Sequence, residues 1–508
     1  MIHYLFQGGI LSNVVNAAVL LTGGFFGYVI IYGLYNITLH PLRSYPGPLL
    51  WCAYRFPWTR SVLSGRFPFD ALELHKKYGP VVRVAPWELS YTDSSALKAI
   101  NGHHNPSSEG FGEFPKDHIE YQKPLNGIYS LLGANGPDHG RCRRLLSHSF
   151  SDQGIRAMQP RIQSYADLLV RRLVEAAGTG YIDILKWYNW TTFDMIGDLA
   201  FGESFHCLET GQTDPWIAAI FGNMKAIPFI QAIRHYNLNL LLPWLTPKKL
   251  LALRKSNYAR TDAKIDERIG FGTERGDFWD VVIAKSDFEK GTGMTVEEMK
   301  SNASLLVLAG SETTATLLSG TTYLLLRNPD AMKKLIEEVR GAFKHEDEMD
   351  LMSVGKLDYM LAVLDEAMRI YPPVPNQGNR RVPSPGAMVA GKWVPGGTSL
   401  QVQQYAANHI PSNFTRPEDF VPDRWFANPP NEFANDDRAA RAPFSFGPRN
   451  CIGRNLAYAE MRLILAKVCF NFDLELDESR SANWIGDQKV FALWEKHPLY
   501  VRLTTVQH

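Results

Sequence analysis

The feature that most narrows the fold is one long helical run in the second half of the chain. Thr295-Val-Glu-Glu298 has the S/T-x-x-E spacing of a capping box, in which two side chains satisfy the first free N–H groups of a helix. The run ends at Asn328-Pro329. A helix over that span has about 32 residues and a length of roughly 48 Å at 1.5 Å per residue. Such a rod crosses the whole body of an ordinary enzyme. Its middle, SLLVLAG, is apolar on all sides and predicts a buried position. With 508 residues, 45% hydrophobic and 21% charged, the chain has enough apolar material to bury that rod and still leave a cofactor cavity.

The rest of the body reads as mostly helical with short strands. Val81 to Thr92 alternates β-branched and aromatic residues and predicts a hairpin. Pro160–Ala177 and Asp183–Phe201 carry helical periodicity. Another helix is expected from Val354 to Tyr371, where Leu357, Met360, Leu361, Leu364, Met368 and Tyr371 share a face until Pro372-Pro373 stops it. Phe221–Leu251 is unusually apolar and is broken by Pro228, Pro243 and Trp244. It reads as a partly exposed apolar patch near a bilayer, with a core segment as the alternative. Length alone suggests about three domains, yet no internal repeat or low-complexity tract divides the chain. No GxGxxG follows a strand, so a fused flavin or nicotinamide domain is not expected and electrons would come from another protein.

No Lys, Arg, Asp or Glu occurs before Arg43. Residues 10–37 hold an apolar stretch of about the ~20 residues a helix needs to cross a bilayer. Asn13 and Asn16 weaken its start, so the span is placed near residues 17–35. A cleaved signal peptide fits less well, because the basic n-region and short apolar core are missing. Basic residues only follow the span, which predicts a cytoplasmic body. His40–Pro48 contains three prolines and a glycine and reads as a stiff hinge. The sequon at Asn36 would then stay unused. The expected division is a membrane anchor over 1–39, a hinge over 40–48 and a catalytic domain over 49–508.

Lys and Arg total 53 against 52 for Asp and Glu, and this balance gives no support to nucleic-acid binding. The five cysteines are scattered, without paired spacing, so a disulfide scaffold is not expected and a reducing compartment fits.

Three groups of residues carry chemistry. Phe444-Ser-Phe-Gly-Pro-Arg-Asn-Cys451-Ile-Gly453 is a Gly-punctuated loop that places one cysteine just before a predicted helix. N–H groups at a helix start stabilise a thiolate, although a lone cysteine is often an inert buried thiol. In the long helix, Ala309-Gly310-Ser311-Glu312-Thr313-Thr314 puts a small-residue notch, a carboxylate and hydroxyls in mid-helix. A notch lined by an acid and a hydroxyl has room for water and a diatomic ligand. The alternative is a kink at Gly310, with Glu312 paired to a distant base. Glu366 and Arg369 share a helix face at i and i+3, as an ordinary surface ion pair also does.

Together these residues resemble the cytochrome P450 family. Phe444, Gly447, Arg449, Cys451 and Gly453 fill its FxxGxRxCxG haem-binding pattern. AGSETT resembles its oxygen-activation helix, Glu366–Arg369 its ExxR motif, and Pro422-Asp-Arg424-Trp a later Pro-x-Arg-aromatic element, all in the family's order. The resemblance implies a mainly α fold with small β-sheets (α+β), here preceded by one transmembrane helix. It implies haem b (iron-protoporphyrin IX), with Cys451 as axial ligand of the iron and Phe444 in the haem-binding loop. Glu312 and Thr313 would relay protons to oxygen, and Arg449 would bind a propionate. Arg380 would do the same, with Arg381 as the alternative, as would Arg143 with His139 standing where the family usually has Trp. Glu366, Arg369 and Arg424 would form one structural network.

The flanking text, including ELHKKYGPVVRVAP and HGRCRRLLSHSFS, is similar to fungal secondary-metabolite hydroxylases of the trichothecene and polyketide-mycotoxin kind. That implies a monooxygenase acting on a hydrophobic polycyclic or terpenoid small molecule. It would use O2 and electrons from NADPH delivered by NADPH-cytochrome P450 reductase, with cytochrome b5 as a further partner. It would sit in the endoplasmic reticulum membrane as a single-pass protein. Two rivals are a haem-thiolate isomerase or dehydratase that needs no NADPH, and a non-enzymatic membrane haem protein.

Overall fold

The computed structural model describes residues 10–508 apart from positions 122, 135 and 291, so the first nine residues of the expected anchor lie outside the described ones. Helix α1 (Ile10–Thr38) contains the predicted span and extends beyond both its ends. Its apolar stretch Ser12–Thr38 is long enough to cross a bilayer, and none of its most apolar window is buried against protein. Apolar side chains exposed all round a helix suit a hydrocarbon solvent.

The end of α1 is fastened to the body. Asn36 Nδ2 donates to Ala53 O at 2.8 Å, Arg83 Nη1 donates to Asn36 O at 2.8 Å, and Tyr54 OH donates to Val29 O at 3.0 Å. Asn36 is fully buried, so its nitrogen is not available to a glycan. Beyond it the proline-rich segment is packed down, with Leu42 and Tyr45 in a core cluster and Tyr45 OH donating to Trp393 O. The stiffness read from the prolines is thus reinforced by burial.

The hairpin forms as read: β1 (Val81–Ala85) pairs antiparallel with β2 (Glu88–Tyr91). It extends into a four-stranded sheet through β3 (Arg380–Arg381) and β4 (Ser399–Val402), where β2 runs parallel to β4 and β3 antiparallel to it.

Helices build the remainder. α2 (Gly136–Leu146) is followed by α3 (Asp152–Ala176), which begins two turns before the predicted Pro160 because Ser151 caps it by accepting from Gly154 N. α4 (Ile184–Phe201) is buried almost throughout. α5 (Ala226–His235) lies in the apolar region 221–251, whose character is mixed. Ile230 and Ile233 are buried, whereas Leu240 and Trp244 are 89% and 88% exposed.

The long rod is α6 (Val296–Arg327), 32 residues with the capping box complete at Thr295 and Glu298. It packs against α4, and its end is covered by α7 (Asp358–Ile370). The expected helix over 354–371 is in fact a short 3-10 turn followed by α7, split at the extended Leu357. Gly320 of α6 admits Tyr371, whose ring would stand 2.3 Å from a Cβ there. One expectation for α6 needs correction. Its apolar middle is not buried all round: Leu306 and Val307 are, but Ala309 is exposed and Leu305, Leu308 and Gly310 are half-exposed. No protein side chain covers that side at Ala309.

The haem-type loop leads into α8 (Arg454–Asn471), which packs on α6 and α3. Near the C-terminus β5 (Lys489–Val490) and β6 (Trp494–Glu495) form a small hairpin.

Candidate functional site

The loop before α8 is closed by its own backbone. Cys451 N donates to Phe444 O at 2.8 Å and Asn450 N to Gly447 O at 3.1 Å, while the Phe444 ring rests against Tyr458. Gly447 has φ +74°, and a Cβ there would lie 1.9 Å from Asn101 O, so both conformation and space demand glycine. Arg143 of α2 grips the residue before the cysteine, donating to Asn450 O at 2.7 Å and to Asn450 Oδ1. Cys451 is accessible, although the loop around it is set deep in the body. Burial pushes its thiol up, with the Gly453 N–H and Arg143 pulling it back only in part. The other four cysteines are buried.

Beside this loop the fold collects cations. Arg449 donates to both carboxylate oxygens of Glu113 and to Ala134 O. Arg380 is buried and donates to Asn101 Oδ1 and Phe114 O, at 3.3 Å each. Lys116 bridges to the Arg380 backbone, and burial, then Arg380 and Arg449, hold its pKa far below the usual lysine value. His139 is buried in the same field, lowered to about 4 by burial first and then by Arg449, and so is neutral. Among the described residues, Glu113 is the carboxylate that faces this group: burial pushes it up, and Arg449 more than offsets that. Arg381, by contrast, is committed to Asp117 through two bonds of 2.8 and 2.7 Å. Of the two alternatives, only Arg380 stands in the cationic cluster.

This donor set fits an iron-porphyrin. A soft sulfur is accessible at Cys451, and the buried guanidiniums of Arg449 and Arg380, with Arg143 nearby, face one acid. That excess positive charge is costly unless anions such as two propionates meet it.

The notch on α6 also forms. Thr313 is half-buried and donates to Ala309 O at 2.6 Å, the back-bond expected of a mid-helix threonine. Glu312 is buried and does have a distant base: Lys496 Nζ lies 2.6 Å from Oε1. Lys496 also donates to Thr316 Oγ1 at 2.7 Å. Glu312 Oε2 has no hydrogen-bond partner. Thr314 donates to Glu460 Oε2 of α8 at 3.1 Å, and burial raises Glu460 to about 8.

Farther along, Glu366, Arg369 and Arg424 are fully buried in one network. Glu366 accepts from Arg369 Nε and Nη2, Arg424 Nε, Trp425 Nε1 and Val421 N, between 2.8 and 3.0 Å. The remaining guanidinium nitrogens reach Asp436 and the carbonyls of Asn408, Thr415, Arg416 and Pro417, and Arg369 Nη2 also donates to Asp419 O. Burial pushes Glu366 up, but the two arginines outweigh it and hold its pKa below the usual range. The surface-pair alternative is excluded.

Sequence reasoning missed Glu113, Lys116, Glu460 and Lys496. Glu113, Glu460 and Lys496 meet their partners far along the chain, 184 positions for Lys496 and Glu312, whereas Lys116 meets Tyr121 five positions on.

The family model described as Cytochrome P450 matches residues 45–501. The chain is 54% identical to averantin hydroxylase of Dothistroma septosporum, over 92% of this chain and 88% of that protein. It is 49% identical to averantin hydroxylase of Aspergillus parasiticus, over 92% and 94%. It is 42% identical to versicolorin B desaturase of Dothistroma septosporum, over 94% and 91%.

Proposed function

The chain belongs to the cytochrome P450 family and is a haem-dependent monooxygenase, and on that premise we propose that it hydroxylates averantin or a closely similar hydrophobic polycyclic compound in fungal secondary-metabolite biosynthesis. The observation that carries this reading is the nearly full-length identity to two averantin hydroxylases, above that to the desaturase.

Haem b, held by Cys451, would supply activation of O2 and transfer of one oxygen atom to substrate. The chain's own residues do the rest. Phe444 O and the Gly453 N–H fix the cysteine in its loop. Arg449, Arg380 and Arg143 would balance the propionates, with His139 as a neutral donor. Thr313 Oγ1 would hold a water beside the exposed Ala309, and Glu312 would connect that water to solvent protons. Glu366, Arg369 and Arg424 would lock the fold around the site without touching substrate.

Electrons would come from NADPH through NADPH-cytochrome P450 reductase, with cytochrome b5 as a further donor. Residues 1–39 would anchor the enzyme in the endoplasmic reticulum membrane, 40–48 would connect, and 49–508 would form the catalytic domain facing the cytoplasm. The exposed Leu240 and Trp244 suit a second contact with that membrane.

The test is expression with the reductase in microsomes, supplied with averantin or with versicolorin B. NADPH-dependent conversion of averantin to a product one oxygen heavier is expected, with versicolorin B unchanged. Desaturation of versicolorin B, or product formed without NADPH, overturns the proposal. Cys451→Ser should abolish the red-shifted ferrous–CO band that a thiolate ligand gives.

A further inference from the structure

Lys496 comes to Glu312 from the far end of the chain. It follows directly on β6, whose Trp494 packs on Tyr371 with ring centroids 4.4 Å apart and donates its indole N–H to Pro372 O at 2.7 Å. Those contacts fix the strand end, so that Lys496 Nζ is held between Glu312 Oε1 and Thr316 Oγ1. The side chains of Lys496 and Glu312 are 5% and 3% exposed. Glu312 Oε2 is left without a partner. A buried carboxylate oxygen in that state accepts one more donor wherever a water fits.

The groups facing Glu312 are few. Thr316 is on its own helix. Tyr371 at the end of α7 turns its hydroxyl away, to Gln488 Oε1 at 2.6 Å. Among the described residues, Lys496 is the one cation that acts on it. Burial pushes the carboxyl of Glu312 up and the ammonium of Lys496 down, while each charge draws the other back. They titrate as a pair.

We propose that Lys496 is a positioning residue of the proton relay: by holding Glu312 Oε1 it fixes the rotamer that leaves Oε2 to donate its proton to the water serving Thr313 and to accept from that water once ionised. The inference rests on the Glu312–Thr313 relay proposed above. Donation of a proton from Glu312 to that water leaves the carboxylate, which the Lys496 ammonium stabilises. Uptake of a proton from a solvent water restores the acid. Lys496 keeps its own proton throughout, so the relay transfers one proton and returns to its starting state.

Four variants of the full-length holoenzyme test this: Lys496→Met, Lys496→Arg, Glu312→Gln and the double Lys496→Met/Glu312→Gln. Lys496→Met should keep haem content and the substrate-induced spectral shift. Its product per NADPH should fall about tenfold, a part of what acid–base help is worth. Its coupling profile should move to higher pH, because a buried Glu312 without its cation holds its proton longer. Independently of turnover, the protonated-carboxyl infrared band that Glu312→Gln removes should grow in Lys496→Met at neutral pH. Lys496→Arg should restore coupling, and the double variant should be no worse than Glu312→Gln alone. If Glu312→Gln uncouples but Lys496→Met changes neither coupling nor the band, the role of Lys496 is rejected and the relay stands. If Glu312→Gln leaves coupling intact, the relay itself fails and takes this inference with it. Should Lys496→Met not fold, Lys496→Gln keeps a donor without the charge; an unchanged infrared band there rejects the proposal.

Discussion

Glu366 on α7 and Glu312 on α6 are both carboxylates taken almost wholly out of water, and the fold treats them in opposite ways. Glu366 receives five donors, two of its neighbours are guanidinium groups, and its pKa is driven down. Glu312 receives one ammonium, keeps an empty oxygen, and is driven up by burial. A carboxylate saturated with donors has no reason to change protonation state or rotamer. One held at a single oxygen is poised to do both. Burial by itself therefore does not separate a structural acid from a working one; the count of donors and the direction of the pKa do.

The comparison breaks most visibly at Glu366. Glu366→Ala leaves two buried guanidiniums short of a partner, and removing one member of a buried pair costs about 3–5 kcal/mol. That is a large share of a typical stability of about 5–15 kcal/mol. We expect little soluble, haem-loaded protein; normal recovery with full haem content would show that the network is dispensable. Next in size is a change on the working side. Thr313→Ala should lower product per NADPH by about 10²-fold, within the usual range for general acid–base help, with peroxide rising and haem content unchanged. An unaltered yield per NADPH would reduce AGSETT to a kink.

Conservative amides sharpen the contrast. Glu366→Gln should cost about 1.5–3 kcal/mol, as for lost hydrogen bonds to a charge, whereas Glu312→Gln should cost less than about 1 kcal/mol, both read from urea midpoints. The lowered pKa of Glu366 sets a sign as well. Its folded value lies below its ordinary 4.5, so its stabilisation is present above 4.5 and lost as pH falls through the folded value. Glu366→Gln should flatten that acid limb. The opposite sign is expected at Glu460, raised by burial from 4.5 to about 8. Its folded form binds the proton more tightly, so its contribution is present below pH 4.5 and lost as pH rises toward 8. Glu460→Gln should be nearly silent below pH 4.5 and increasingly more stable than the parent as pH rises toward 8, with the full difference kept above it. Equal melting of the two proteins in alkali would contradict a protonated Glu460.

What was legible before the structure was what neighbours in sequence decide. The capping box at Thr295 and Glu298, the stop at Asn328-Pro329 and the hairpin over Val81–Thr92 lie within a few residues of their causes. The Cys451 loop announces itself in ten residues, and Glu366 and Arg369 meet one turn apart. Arg424 joined them only because a family resemblance supplied a contact across 58 positions. Nothing of that kind marked Lys496 for Glu312 or Glu113 for Arg449, the latter 336 positions apart. The burial of α6 was overstated for a related reason. An apolar helix face looks the same in sequence whether or not a side chain lies opposite, and Ala309 is left uncovered.

The fastening of α1 has a mechanical consequence. Three hydrogen bonds at Val29, Asn36 and Ala53, together with buried Leu42 and Tyr45, join helix and body into one lever. Turning the body about the helix end would break those bonds together and pull two side chains from their core. The cleft of about 1810 Å³ between them, lined by Tyr28, Tyr32, Tyr54, His235 and Tyr236, therefore keeps its shape as the whole lever moves. In a lipid bilayer the tilt of one helix becomes the attitude of the entire enzyme, leaving lateral drift and spin about the membrane normal as its main rigid-body freedoms.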